Sequence, residues 1–220
     1  MKNPIKPTLK TELFPLLLIL FSLISSLYFF QSMPEQVPAH WNFKGEVDRL
    51  ANASSHILMI NLILIGLYLL FIFLPLIDPN KKRYEQFRKI YHIFKNIFLL
   101  FLAGIFLLTN LNAVGYNINI SIYIPVAVGI LFMIIGNYLG KIKMNWFMGI
   151  KTPWTLSSEE VWNKTHRLGG KLFMLSGLLI ALDGFLPVNY QIPVFILAIM
   201  IILIGTIGGS YFIYKKNIKI

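Results

Sequence analysis

Six long apolar runs dominate the chain: Leu13–Phe30, His56–Ile77, Ile93–Ala113, Ile120–Gly140, Lys171–Leu186 and Ile192–Tyr214. A hydrocarbon core about 30 Å thick takes about 20 helical residues to cross. In lipid every backbone N–H and C=O must be paired internally, which leaves helices or closed barrels. The apolar–polar alternation of a barrel strand is absent. The expected fold is therefore an all-α polytopic membrane protein with six transmembrane helices. It forms one integral membrane domain over residues 1–220, with no separate soluble domain. Leu13–Phe30 follows a basic start, as a leader would, but it exceeds the usual apolar core of about 7–15 residues, so it is expected to stay as the first span. The run at Lys171–Leu186 is short, which predicts a helix that begins in the loop before it.

Charge supplies the orientation. Only 13% of the residues are charged, against about 25% in an ordinary soluble domain. Of 20 Lys and Arg, 18 fall in the N-terminal tail, the Asp78–Lys95 region, Lys141–Lys171 and the tail after Tyr214. Lys44 and Arg49 are the other two. The positive-inside rule then predicts both termini in the cytoplasm, an outer cap loop at 31–55 between helices 1 and 2, and a cytosolic loop at 141–170 between helices 4 and 5. The net charge of +11 is accounted for by these flanks, and no direct nucleic-acid contact is expected.

Two polar stretches interrupt the apolar pattern. In the outer loop, Pro34 and Pro38 force extended backbone, and Lys44-Gly45 suits a tight turn. An extended–turn–extended cap is expected, with Trp41 as an interfacial anchor. It is either a folded cap or an exposed surface for an extracellular peptide or small ligand. In the cytosolic stretch, Gly149 and Pro153 predict extended or turning backbone over Asn145–Thr155. Ser157 and Glu160 have capping-box spacing, so a helix is expected to start near Ser158. Val161, Trp162, Thr165 and Leu168 share one face of that helix, while Glu159, Asn163, His166 and Arg167 fall elsewhere. The helix would lie at the inner surface, with Gly169-Gly170 letting the chain bend before the fifth span. It serves either as an interfacial anchor or as a relay and docking site. Gly136-x-x-x-Gly140 and Gly205-x-x-x-Gly209 place small residues on one face of the fourth and sixth helices, where close helix approach is possible.

Catalytic patterns are missing. There is no HExxH, no Gly-x-Ser-x-Gly and no phosphate-cradling glycine loop, so no enzyme activity is expected. With no Cys in the chain, thiolate metal sites and disulfides are excluded. His40, near Glu35, Glu46 and Asp48, lacks a repeated ligand spacing, so neither a metal nor a cofactor is expected. Asp183 is the ionisable residue expected within a span. It is either a functional group or a side chain snorkelling to the interface.

Two motifs carry a family resemblance. Pro38-Ala39-His40-Trp41-Asn42-Phe43-Lys44-Gly45-Glu46-Val47-Asp48 resembles the P-x-H-W-N-x-x-G-x-x-D outer-loop signature of the SdpI family. Gly149-Ile150-Lys151-Thr152-Pro153-Trp154-Thr155-Leu156, followed by Ser158-Glu159, Val161-Trp162, Thr165-His166-Arg167 and Gly169-Gly170, resembles its cytosolic signature. The chain departs from that signature at Lys151, where the family usually carries Arg. The resemblance implies a multi-pass protein of the bacterial cell membrane that confers immunity to a secreted, membrane-active peptide toxin. In some members it also implies a receptor that holds a cytosolic winged-helix repressor at the membrane. On that basis His40, Trp41, Asn42, Gly45 and Asp48 are the expected ligand-binding residues. Lys151, Thr152, Pro153, Trp154, Glu159, Trp162, Thr165, His166 and Arg167 are the expected partner-contact residues, with Trp154 and Trp162 exposed. The lipid bilayer is the remaining partner. A small transporter or a purely structural membrane protein is the alternative.

Overall fold

A computed structural model describes residues 3–42 and 44–217 and is mostly helical. In chain order the elements are α1 (Leu9–Phe30), β1 (Gln36–Trp41), β2 (Val47–Asn52) and α2 (Ala53–Ile77), then a 3-10 segment (Lys81–Phe87) and α3 (Arg88–Ala113). They continue with α4 (Ile120–Leu139), α5 (Pro153–Ser157), α6 (Glu159–Asp183) and α7 (Val188–Asn217). Among the described residues, five helical segments are long and apolar enough to cross a membrane: α1, α2, the 3-10 segment with α3, α4, and α7. The remaining expected span is the second half of α6. That helix begins at Glu159 and carries Arg167, Lys171 and Asp183 among its apolar residues.

The chain divides into two compact units. The hairpin unit comprises Pro7–Ile72 and Lys95–Ile124. Its apolar core is Ile60, Leu64, Leu99, Ala103 and Phe106, with Leu18 and Ile19 of α1 packed against it. The same helices also bury polar groups. Ser22 Oγ donates to Asn61 Oδ1 at 3.0 Å, and Asn61 Nδ2 donates to Ser26 Oγ at 3.0 Å. Lys95 Nζ meets Glu12 Oε2 at 2.5 Å, with the lysine side chain 1% exposed. So Asp183 is not the only ionisable group inside the long helices. Sequence pattern assigned Glu12 and Lys95 to the flanks, because each sits near a helix start.

The α6 unit comprises Met1–Lys6, Phe73–Phe94 and Pro125–Ile220. Its organising element is α6, and glycine decides what packs on it. Gly129 and Gly136 of α4 face Gly177 and Gly170 of α6, so two glycine pairs meet one heptad apart on antiparallel helices. A Cβ at Gly136 would stand 2.6 Å from the Gly170 carbonyl oxygen, so only glycine lets the backbones approach this closely. On α7, Gly205 and Gly209 leave room for Leu172 and Leu168. Ser176 Oγ donates to the Ala198 carbonyl at 2.8 Å. Both small-x-x-x-small faces noted in the sequence are thus contact faces of α6, with Gly140 against Arg167.

Three local expectations are corrected. Pro153 does not keep the chain extended. It opens α5 from the first helical position, where its missing N–H costs nothing, and Thr152 caps it. The cap of α6 is Ser158, whose side chain accepts from Val161 N–H, rather than Ser157. The chain does not bend at Gly169-Gly170, because α6 runs through both. Gly169 is kept small by Ile150, Leu139 and Thr206, and Gly170 by Gly136.

Candidate functional site

The residues of the first motif fold as the antiparallel hairpin β1–β2. Asn42 makes the turn: its Oδ1 accepts from Lys44 N–H at 2.9 Å and Glu46 N–H at 3.1 Å, and its Nδ2 donates to Glu46 Oε2 at 2.9 Å. Gly45 adopts φ +76, and a Cβ there would collide with the Ser121 hydroxyl, so both conformation and space require glycine. Pro38 has no N–H to give the ladder, and the register shifts on both sides of His40. The register of Gln36–Asn52, Val37–Ala51 and Pro38–Leu50, carried on unbroken, would set His40 opposite Asp48; the shifts pair it with Arg49 instead. His40 Nδ1 nonetheless lies 2.6 Å from Asp48 Oδ1. Both side chains stay open, at 57% and 42% exposure, and Trp41 is half-buried beside them. Val37, fully buried against Ala53 and Ala113, holds the root of the hairpin.

The second motif is built inward. Trp162 is fully buried, its indole N–H donates to the Ile142 carbonyl at 2.8 Å, and its ring stacks on His166 at 4.0 Å. His166 Nε2 lies 2.9 Å from the Ile150 backbone N–H. A backbone N–H can only donate, so Nε2 accepts and the ring proton sits on Nδ1, which donates to the Trp162 carbonyl at 2.8 Å. Burial pushes the His166 imidazole down to about 4, so it is neutral near pH 7. Gly149, at φ +113, passes directly over the ring, where a Cβ would lie 2.3 Å from Nε2. Thr152 caps α5 and donates to Ser210 Oγ on α7 at 3.1 Å. Trp154 stands edge-on to Tyr211 with centroids 5.2 Å apart.

Trp162, Thr165 and His166 are therefore not surface groups, and His166 shares the buried face of α6 with Trp162. Of the expected partner-contact residues, Lys151, Pro153, Glu159 and Arg167 are exposed and Trp154 is half-buried. Glu159 is engaged by Arg83 at 2.9 Å. Asp183 is 4% exposed and its Oδ1 has no hydrogen-bond partner among the described residues, so it does not snorkel outward.

Sequence reasoning missed the residues that hold this segment in place. Asp78, 2% exposed, accepts from Asn80 N–H at 2.6 Å, from Tyr84 Oη at 2.8 Å and from Trp146 N–H at 3.0 Å. Asn145, fully buried, accepts from Phe147 and Met148 N–H and donates to the Lys143 and Met148 carbonyls. The available signal was a short acceptor side chain at the end of an apolar run, which otherwise suits a simple turn.

Residues 141–211 match the SdpI/YfhL protein family, and residues 17–65 match a domain of unknown function (DUF1648). The chain is 28% identical over 208 residues to a Bacillus subtilis (strain 168) protein named Immunity protein SdpI, covering 94% of this chain and 98% of that protein. No solved structure matches. The first motif falls in the second of these regions and the α6 motif in the first. The chain is a multi-pass bacterial cell membrane protein, and residues 141–211 are similar to the SdpI family.

Proposed function

We propose that this chain confers SdpI-like immunity, protecting the cell that makes it from a secreted, membrane-active peptide. The observation that carries this reading is the end-to-end similarity to a protein named for immunity, over 94% of this chain. In this proposal six helices cross the membrane, both termini lie in the cytoplasm, and the hairpin lies outside, following the bias of basic residues. The peptide meets the hairpin at His40, Trp41 and Asp48, while Asn42 and Gly45 hold the turn that presents them. The exposure of the His40–Asp48 pair supports this assignment.

A toxin-sensing role is the finer form of the proposal. A cytosolic repressor would meet the α6 unit through Lys151, Pro153, Trp154, Glu159 and Arg167, since Trp162, Thr165 and His166 are committed to the interior. The deciding experiment is expression in a toxin-sensitive strain challenged with secreted peptide toxins. Survival is expected with this chain and loss of survival with Trp41→Ala at equal membrane abundance. A chain that reaches the membrane and protects against no such peptide rules the proposal out.

A further inference from the structure

We infer that the α6 unit carries a binding site for the headgroup phosphate of an anionic phospholipid, where the end of α2 meets the loop after α4. Three contacts join these segments: Asp78 to the Trp146 N–H, Tyr84 to Asn145, and Arg83 to Glu159. They bring Lys81 and Lys82 to the same patch as Lys143 and Lys151. The neighbouring acids are already committed. Asp78 is buried and accepts three hydrogen bonds, Glu159 pairs with Arg83, and Glu160 pairs with Lys164 at 2.5 Å. Glu85 is the one exposed acid left among the described residues of the patch, against four lysines. Lys151 Nζ rests on the Trp146 and Phe147 carbonyls, which orient the charge without neutralising it.

The apolar features select a lipid over a soluble acidic partner. Trp146 and Phe147, 49% and 36% exposed, sit side by side among the lysines. An open groove beside them is walled by Leu76, Ile77, Asp78 and Pro79, with Lys81 at its rim and the Asp78 carboxylate held by Asn80, Tyr84 and Trp146. Ile77 is 65% exposed and ends a helix of membrane-spanning length, so the groove continues a lipid-facing surface. An aromatic pair at the interface, an apolar groove and uncompensated ammonium groups together match the junction of an acyl chain and a phosphate headgroup.

The test uses the full chain in detergent, titrated with phosphatidylglycerol and, separately, phosphatidylcholine, with bound lipid counted by native mass spectrometry. Phosphatidylglycerol is expected to be retained preferentially. A lysine near an anionic membrane surface contributes about a fivefold preference, so Lys81→Gln/Lys82→Gln/Lys143→Gln should lose about a hundredfold. An unchanged unfolding temperature in lipid-free detergent shows that this variant folds. Lys44→Gln/Arg49→Gln, which removes charge from the hairpin instead, should leave the preference intact. Equal retention of the two lipids, or a preference that survives the triple change, overturns the inference. So does full displacement of the lipid by inorganic phosphate or by an acidic peptide, which would make the site one for a soluble anion.

Discussion

The hairpin of residues 36–52 and the segment of residues 141–170 carry motifs of similar make-up, with Trp, His, Asn or Thr and a glycine within a few positions. Their side chains end in opposite environments. In the hairpin, His40 and Asp48 meet each other in the open, and the buried contribution comes from Val37 outside the polar motif. In the second segment, Trp162 and His166 are fully buried and spend every polar atom on backbone groups of their own unit. A polar–aromatic motif therefore does not by itself mark a contact surface. What separates the two is where hydrogen-bond partners are available. A two-stranded hairpin has too little mass to bury a His–Asp pair, whereas α6 lies against α4, α5 and α7.

The largest test of this contrast is Trp162→Ala. It removes a fully buried ring, its stacking on His166 and its bond to Ile142, at an expected cost of about 3–5 kcal/mol. Thermal unfolding in detergent should show the loss, and protein level and protection should fall together. A stable variant that loses only partner recruitment would return Trp162 to the surface and dissolve the contrast.

A second comparison, within the hairpin unit, sets the buried pair Glu12–Lys95 against the exposed pair His40–Asp48. Lys95→Met strands a buried carboxylate and should cost about 3–5 kcal/mol, whereas Glu12→Gln with Lys95→Met should recover most of the loss. Unfolding of the two single variants and the double variant measures the coupling. Additive losses would mean that the two groups do not depend on each other.

How far these features could be read from sequence depends on how local their cause is. The hairpin turn was legible because Pro34, Pro38 and Gly45 act on their own backbone, and the start of α6 was placed to within a residue because capping is local. The two glycine faces were visible as spacing, but their partner was not. The pairing of Gly136 with Gly170 depends on the antiparallel packing of α4 and α6. Nor was the buried state of His166, since periodicity placed it off the apolar face. It is buried because Gly149, from the loop before α5, lies over it. Asp78 and Asn145 were hidden for the same reason, as their partners lie on segments distant in sequence.

His166 offers a test by pH. Its imidazole is held down to about 4, against 6.5 for an unperturbed His. Between those values the unfolded chain binds a proton that the folded chain does not. Stability is therefore complete above about pH 6.5 and falls as pH drops toward 4. The full span corresponds to roughly 3 kcal/mol. His166→Gln should flatten this slope whatever it does to stability at neutral pH. An unchanged slope in that variant would place the pH dependence elsewhere and weaken the claim that the second motif is interior.

The smallest stability effect is expected at the first motif, and there the contrast bears most directly on function. His40 and Asp48 form an ion pair only when the ring is protonated, and both side chains are about half exposed, so solvent screens what charge there is. Asp48→Asn keeps the size and a hydrogen-bond acceptor, and should change unfolding by no more than about 1 kcal/mol. If the hairpin receives the peptide, the same change should still reduce protection at unchanged membrane abundance, because a surface group spent on a ligand contributes to binding rather than to folding. Trp41→Ala should reduce protection further, through the loss of a large amphipathic contact. Gly45→Ala separates presentation from contact. Its added Cβ meets the Ser121 hydroxyl at a positive φ, so it should distort the turn and reduce protection while His40, Trp41 and Asp48 are all present. Protection that tracks unfolding across these three variants would make the hairpin a structural cap, and the two motifs would then differ in exposure but not in role.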